Sequence, residues 1–281
     1  MTQNSVFITG TSSGIGLAAA QQFGALGWRV FAGVLPSEDT GGLQNRPNIS
    51  IVPIDITKGG MIQAAAETIG KALGDGGLNG LINNAGIAIT GPLEFLPLDA
   101  LRLQLEVNLI GHVAVTQAFL PLIRKARGRI VNTISMLGKI TTPFSGPSCM
   151  SKFAMEAFTD TLRQEVGQWG IHVIGIEPGF IATPIWKKAV KATDEIGDEL
   201  PPQGQQLYGE SLKLYRATTA TEEALGDPPE VVAQVMIEAL TAKTPKTRYV
   251  VGAKGKSSLF LRWLLPDRIV DRAIKRRYGL K

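Results

Sequence analysis

Three glycines stand close together near the start of the chain, in the run Thr9-Gly10-Thr11-Ser12-Ser13-Gly14-Ile15-Gly16. The run follows an apolar segment at 5–9 that is typical of a strand. It opens a segment at 14–26, rich in Ala, Gln and Leu, that is typical of a helix. Gly10 permits a sharp turn, Gly14 lets the backbone approach an anion, and Gly16 lets the helix pack close to the strand. Because the amides at a helix start attract phosphate, the run predicts a pyrophosphate-binding turn.

Apolar strands and helices continue to alternate along the chain. Predicted strands lie at 5–9, 29–34, 49–54, 78–83, 129–134, 172–177 and 248–251. Predicted helices lie at 14–26, 58–73, 99–125, 147–169 and 228–242. Strands that are apolar almost throughout and separated by helices indicate a parallel sheet covered on both faces. We therefore expect an α/β protein with a doubly wound, Rossmann-like parallel sheet, in a single domain over 1–281.

The segment 180–227 is too long to be an ordinary connection. It contains Pro184, Pro201-Pro202 and Gly204 among helix-forming residues, and it leaves the predicted sheet just after the carboxyl end of a strand. Ligands bind at that edge in doubly wound folds. We expect this segment to form a lid over the substrate, with a decorated surface insertion as the alternative.

The charge is concentrated at the C-terminus. The chain has 29 Lys and Arg residues against 24 Asp and Glu residues, a net charge of +5. Segment 254–281 holds nine basic and two acidic residues, which places +7 there and leaves −2 on 1–253. A nearly neutral body argues against nucleic acid as a partner. For the basic tail we expect a helix packed on the domain; the alternatives are peripheral contact with an anionic membrane or with another protein.

The single cysteine, Cys149, excludes an intramolecular disulfide and a thiolate zinc site, and it favours a reducing, cytoplasmic environment. Packing is the expected role of its side chain. His112 and His172 stand alone in the sequence, so we expect no metal site. No uninterrupted apolar run reaches the roughly 20 residues of a membrane-spanning helix. We therefore expect a soluble protein.

Further motifs follow the glycine turn in order. They are Asp55-Ile56, Asn83-Asn84-Ala85-Gly86, Asn108, Ser135, Lys152 and Pro178-Gly179-Phe180-Ile181-Ala182-Thr183. Together with the glycine spacing they resemble the motifs of the short-chain dehydrogenase/reductase family, in its ordinary-length branch, over residues 5–252. The resemblance implies that NAD(P)(H) is the cofactor. It assigns cofactor contacts to Gly10, Ser12, Ser13, Gly14, Ile15, Gly16, Asp55, Ile56, Asn83, Ala85, Gly86, Lys152, Pro178, Gly179, Ile181 and Thr183.

One catalytic position departs from the family pattern. Family members carry a Tyr thirteen residues after the catalytic Ser and four before the Lys, and counting from Ser135 leads to Ser148. The implied catalytic set is therefore Asn108, Ser135, Ser148 and Lys152. A phenol one helical turn from an ammonium can exchange a proton near working pH, whereas a serine hydroxyl is far less acidic and shorter. We expect hydride transfer to be slowed by roughly 10²–10⁴-fold.

Three interpretations of Ser148 remain open. The first is a Tyr→Ser change in an otherwise intact dehydrogenase. The second is a natural variant in which Ser148 with a water, or Tyr208 or Tyr215 from the lid, replaces the phenol. The third is a scaffold that has left redox chemistry and acts as a lyase, an isomerase or a ligand-binding module.

The choice between NAD and NADP is also open. An acidic residue at the end of the second strand accepts the ribose hydroxyls of NAD, while Arg or Lys meets the extra phosphate of NADP. Segment 31–37 has neither, and Ser12 and Ser13 could bind either cofactor. Segments 30–34, 145–147 and 153–158 look most like hydroxysteroid and retinol dehydrogenases, which implies a bulky apolar alcohol or ketone. The family resemblance also implies a homodimer or homotetramer.

Overall fold

A computed structural model describes residues 3–280 as strands alternating with helices. The strands are β1 Ser5–Thr9, β2 Arg29–Val34, β3 Ile49–Pro53, β4 Gly80–Asn83, β5 Arg129–Thr133, β6 His172–Pro178 and β7 Arg248–Val251. The α-helices are α1 Gly14–Ala25, α2 Gly59–Leu73, α3 Leu98–Leu105, α4 Gly111–Ala126, α5 Gly146–Val166, α6 Ile185–Asp198, α7 Pro202–Ala224, α8 Pro229–Thr241, α9 Ala253–Leu264 and α10 Asp267–Arg277.

The strands form one parallel sheet in the order β3-β2-β1-β4-β5-β6-β7. The chain moves outward from β1 to β3 and then returns to place β4 on the other side of β1. The direction of strand addition therefore reverses between β1 and β4. Such a reversal opens a crevice at the carboxyl ends of the strands, where ligands bind. The predicted doubly wound α/β fold is confirmed.

Each face of the sheet is covered by helices because successive strand residues point to opposite sides. Val6 and Ile8 of β1 are buried against the layer that contains α1 and α8. Phe7, between them, packs on the opposite layer, where its ring stacks on Phe119 of α4 with centroids 4.5 Å apart. The apolar strand composition thus reflects burial on both faces.

The predicted helix at 99–125 is divided in the structure. α3 and α4 are joined by a π-helical turn, Glu106–Ile110. Within the described residues, Leu98–Ala126 is the helical stretch that meets the length and hydropathy of a membrane span. Of its most apolar 18-residue stretch, 39% is buried inside the protein. Val115 and Phe119 on this stretch are fully buried against the sheet. The apolar composition therefore serves the core on at least this face.

The segment 180–227 folds into α6 and α7, and its two ends are joined. The Asp227 amide donates to the Phe180 carbonyl at 2.9 Å, and the Ala182 amide donates to the Asp227 carbonyl at 2.9 Å. The Gly226 backbone lies so close that an added Cβ would come within 2.7 Å of the Ala182 nitrogen. The segment therefore leaves and rejoins the body at one narrow point beside β6.

Candidate active site

The glycine turn between β1 and α1 has no room for side chains at two of its glycines. A Cβ on Gly10 would lie 2.6 Å from the Ala85 Cα, and one on Gly16 would lie 2.1 Å from the Gly10 carbonyl oxygen. Gly10 and Gly14 also have positive φ angles of 69° and 56°. The turn can therefore bring its backbone close to a bound group, as a pyrophosphate requires.

Polar contacts from the end of β4 hold the turn in place. The Thr9 hydroxyl oxygen accepts from the amides of Asn84 at 2.9 Å and Ala85 at 3.1 Å. The Asn84 side-chain amide donates to the carbonyls of Thr9 and Gly10, both at 3.1 Å. Asn84 is a site residue that the sequence assignment missed although it stands inside the Asn-Asn-Ala-Gly motif.

Asn83 points away from the crevice and into the core. Its side-chain amide donates to the Thr116 hydroxyl and to the Asn132 side-chain oxygen, both at 2.9 Å. Asn132 in turn donates to the Thr159 hydroxyl at 2.8 Å. Because these residues belong to two strands and two helices, Asn83 braces the layers beneath the crevice.

Asp55 and Ile56 follow the third strand of the sheet at its carboxyl end. The Asp55 carboxylate accepts from the Thr57 amide at 2.9 Å and from the Thr57 hydroxyl at 2.8 Å. Ile56 is buried, and its carbonyl lies 2.7 Å from where a Cβ on Gly111 would stand. These contacts hold the turn after β3 against the start of α4.

Glu38 is a second site residue that the sequence motifs did not indicate, because it lies one position beyond segment 31–37. Its carboxylate accepts from the Ser12 hydroxyl at 2.6 Å and from the Lys188 ammonium of α6 at 2.7 Å. These two partners lower the pKa of Glu38, Lys188 first and Ser12 next. The structure thus places a carboxylate beside the glycine turn, just beyond β2, and links it to the 180–227 segment.

The motif 178–183 lies between the last strands and the glycine turn. The Gly179 amide donates to the Val251 carbonyl of β7 at 2.9 Å. Ile181 is buried, and its carbonyl accepts from the Trp186 indole at 2.7 Å. Thr183 reaches the turn itself, since its side chain would lie 3.2 Å from a Cβ on Gly14. The motif therefore borders the same crevice as the glycine turn.

Asn108 lies in the π-helical turn and is 2% exposed. Its side chain accepts from the Ile87 amide and donates to the Ile87 carbonyl, both at 2.9 Å, so it fastens the loop after β4. Gly86 packs closely against it, because a Cβ on Gly86 would lie 3.4 Å from the Asn108 side-chain oxygen. π-Helical turns recur at functional sites, and this one brings the Asn108 side-chain amide within 3.5 Å of the Ser151 hydroxyl, next to Lys152.

Ser135 and Lys152 are held by backbone groups at the end of β5. The Ser135 hydroxyl oxygen accepts from the Leu137 amide at 3.1 Å. The Lys152 ammonium donates to the Thr133 carbonyl at 2.8 Å. Burial lowers the pKa of Lys152 to about 8. The site therefore holds a cation that is easier to deprotonate than an ordinary lysine.

Ser148 occupies the first turn of α5, four residues before Lys152. It is 7% exposed, and its hydroxyl has no hydrogen-bond partner among the described residues. Its backbone carbonyl accepts from the Ser151 hydroxyl at 2.8 Å. A buried hydroxyl without a partner is uncommon, because removal from water costs free energy that no protein contact offsets.

The neighbouring cysteine and histidine show no sign of catalytic activation. Burial is the main cause that raises the pKa of Cys149, which keeps the thiol protonated. Burial and the charge of Lys152 lower the pKa of His112 to about 3, so its ring is neutral and its Nε2 donates to the Ala85 carbonyl at 2.7 Å. Between residues 3 and 280, no three His, Cys, Asp or Glu side chains gather as a metal site.

The two lid tyrosines take different positions. Tyr208 donates to the Glu94 carboxylate at 2.8 Å and lies at the surface. Tyr215 is 4% exposed, its hydroxyl lies 3.0 Å from the Ser145 hydroxyl, and burial is the main cause that raises its pKa. Ser145 immediately precedes α5, so this phenol contacts the chain three residues before Ser148.

The chain is similar to known enzymes over most of its length. A family model for short chain dehydrogenases matches residues 4–194. Retinol dehydrogenase 16 of Homo sapiens is 37% identical over 273 residues, covering 95% of this chain and 86% of the relative. The NADPH-dependent 3-dehydrocapnine reductase of Ornithobacterium rhinotracheale is 38% identical over 272 residues, covering 94% of each chain.

A solved structure gives the same architecture. The short chain dehydrogenase/reductase from Burkholderia phymatum in complex with NAD has a TM-score of 0.77 at 22% identity, covering 93% of both chains. The glycine turn leaves no room for a Cβ at Gly10 or Gly16. Its exposed backbone at the start of α1 fits the pyrophosphate of the NAD(P)(H) that such enzymes use. By sequence and by fold, the chain belongs to the short-chain dehydrogenase/reductase family of NAD(P)(H)-dependent oxidoreductases.

Proposed function

We propose that the protein transfers hydride between NAD(P)(H) and a bulky apolar alcohol or ketone, and that Ser148 slows this transfer. The observation that carries the proposal is the buried, unpartnered Ser148 hydroxyl at the family's tyrosine position, four residues before Lys152. The remaining catalytic positions, Asn108 and Ser135, keep the residue types of the family.

Each retained residue has a defined task in this mechanism. The glycine turn would hold NAD(P)(H), whose nicotinamide would supply the hydride acceptor or donor. Ser135, fixed at the end of β5, holds the substrate oxygen, and Lys152 supplies positive charge next to the proton donor. Oxidation of an alcohol also releases a proton from its hydroxyl. Ser148 is a weak base for that proton, so the step that the phenol would assist proceeds without an efficient acceptor.

The apolar character of the substrate is supported by the lid. Phe144, Leu212, Tyr215 and Tyr278 form a buried cluster around α7, next to the start of α5. Phe144 and Tyr215 contact each other with ring centroids 5.6 Å apart. The segment beside the start of α5 is thus rich in apolar and aromatic side chains, and a substrate-facing surface of that composition would favour an apolar substrate over a charged one.

The test is restoration of the phenol. We expect Ser148→Tyr to raise kcat by roughly 10²–10⁴-fold on a panel of apolar alcohols and ketones, because it returns the general acid and base. Turnover is followed by NADH or NADPH absorbance. Ser148→Phe is the matched control, since it adds the ring without the hydroxyl and should stay at the level of the parent.

Two results would contradict the proposal. One is equal activity of the Phe and Tyr variants, which would assign the gain to packing. The other is that neither parent nor Tyr variant turns over any substrate of the panel with either cofactor. If a substrate is instead converted with no change in NAD(P)H, the result would favour the alternative of a lyase or isomerase on this scaffold.

We also propose that the protein is a homodimer or homotetramer. Support comes from apolar side chains that α3, α5 and the turn before α4 leave at the surface. They are Leu103, Ile110, Met150 and Phe153. Exposed apolar patches of this kind commonly mark subunit contacts. Light scattering coupled to gel filtration measures the mass directly, and a mass of one chain would contradict the proposal.

A further inference from the structure

The end of α9 exposes an unusual set of large apolar side chains. Phe260 is 59% exposed and Trp263 is 79% exposed, and their rings contact each other with centroids 6.1 Å apart. Leu261 and Leu264 beside them are 50% and 58% exposed. Isolated exposed apolar residues are ordinary, but four within five positions form a patch that needs a partner. We call this patch, together with α10, the C-terminal surface.

α10 adds positive charge to the same surface. Its exposed basic residues include Arg268, Arg272 and Arg276. Ile269, near the start of the helix, is another exposed apolar side chain, at 50%. Since residues 1–253 carry −2 and residues 254–281 carry +7, the basic charge of the protein is concentrated here. The surface therefore combines aromatic and aliphatic side chains with a local positive field.

The C-terminal surface is attached to the lid. Tyr278, just after α10, is 5% exposed and lies 5.8 Å from Tyr215 of α7, centroid to centroid. Arg277 pairs with Glu222, also on α7. The tail is thus docked through its final residues, while the exposed end of α9 stays outside this contact.

We propose that the C-terminal surface binds the face of an anionic phospholipid bilayer. The lipid headgroups complement the arginines, and the aromatic rings of Phe260 and Trp263 suit the boundary between headgroups and acyl chains. A neutral protein groove would satisfy the apolar residues but would leave the concentrated charge without a counterpart. The inference goes beyond the proposed function, because it concerns where the protein works and not which reaction it performs.

The first experiment uses the full chain and sedimentation with vesicles. We expect the protein to pellet with vesicles of phosphatidylcholine plus phosphatidylglycerol and to stay in solution with phosphatidylcholine alone. Added salt should weaken the binding, because ions screen the attraction between exposed charges. Recovery in the supernatant with the anionic vesicles would overturn the proposal.

Variants separate the apolar and the charged contribution. Phe260→Ala with Trp263→Ala should abolish most of the pelleting, and the matched control is Leu26→Ala with Leu98→Ala, at exposed positions elsewhere.

Removing three charges near the membrane should weaken binding on the order of 100-fold, at about fivefold per charge. The charge variant is Arg268→Gln with Arg272→Gln and Arg276→Gln. Its control removes the same charge from exposed residues of the body, as Arg46→Gln with Lys58→Gln and Lys71→Gln.

The variants also expose a competing explanation. If each C-terminal variant binds vesicles as its control does, the surface does not face the membrane. If Phe260→Ala with Trp263→Ala instead lowers the mass of the protein in solution without vesicles, the patch joins two copies of the chain. Either result overturns the proposal, whatever the outcome of the Ser148→Tyr assay.

Discussion

At the scale of single residues, α5 decides what the site can do. Ser148 and Lys152 are one turn apart, and the Lys152 ammonium donates to a backbone carbonyl at 2.8 Å. Partial removal from water destabilises the charged form of the lysine, which is why its pKa falls. A phenol at position 148 would share this environment and gain acidity from it, whereas the serine hydroxyl gains too little to titrate.

Lys152 should make stability depend on pH. Its folded pKa of about 8 lies below its ordinary value of 10.5, so the unfolded chain binds more protons between these two values. The free energy of unfolding should therefore rise with pH from about 8 to 10.5, by about 3 kcal/mol at most. Urea unfolding across this range measures the slope. Lys152→Met should remove the slope, and an equal slope in that variant would assign it to other groups.

Glu38 should favour NADH over NADPH. Its carboxylate already binds Ser12 of the glycine turn, and a 2′-phosphate placed nearby would meet a like charge. We expect Glu38→Ala to improve NADPH binding relative to NADH by roughly tenfold or more. Titration calorimetry reads binding without requiring turnover. Asp39→Ala is the matched control, since it removes the adjacent carboxylate, and an equal effect of both variants would refute the role of Glu38.

At the scale of elements, the 180–227 segment is held at three places. Its ends are joined through Phe180, Ala182 and Asp227, α6 contacts Glu38 through Lys188, and α7 packs around Tyr215. The Lys188 pair is largely exposed, so it adds little stability. The buried aromatic cluster is the contact that keeps α7 in place.

Removal of the Tyr215 ring should open the lid without unfolding the sheet. Tyr215→Ala leaves a cavity in the cluster, and amide hydrogens of 202–224 should exchange faster while those of the strands keep their protection. Tyr215→Phe is the control, because it keeps the ring and loses only the hydrogen bonds of the hydroxyl, to Ser145 and Thr219, worth about 1 kcal/mol each. Hydrogen exchange with mass spectrometry measures both. Equal exchange in the parent and the Ala variant would contradict this role.

At the scale of the whole molecule, one parallel sheet collects residues that are far apart in the chain. The reversal between β1 and β4 brings the glycine turn, the Asn-Asn-Ala-Gly motif and the end of β5 to one edge. The positive charge, by contrast, is concentrated in one stretch of the chain, the C-terminal tail, which contacts α7 through Tyr278 and Arg277. The molecule therefore has a nearly neutral catalytic body and a basic surface on the same side as α7.

Much of this organisation could be predicted, because it depends on residues that are close together in the sequence. Glycine spacing, strand periodicity and the position of Ser148 involve neighbours along the chain, and the doubly wound class, though not the order of its strands, follows from the alternation of strands and helices. The partition of the long helix at 106–110 was missed, since a π-helical turn changes hydrogen bonding without a clear change in composition.

Other features arise only when distant segments meet. Glu38 becomes part of the site because Ser12 and Lys188 approach it, and Lys188 is 150 positions away in sequence. Tyr215 reaches Ser145 across 70 positions, and Tyr278 joins the same cluster. No local periodicity encodes such pairs, because they depend on how whole helices pack. The sequence alone thus established the family, the cofactor turn and the missing phenol. The tertiary structure decided which carboxylate lies beside the cofactor turn, which ring packs α7 against the body and which apolar side chains remain exposed, because each depends on how distant helices pack.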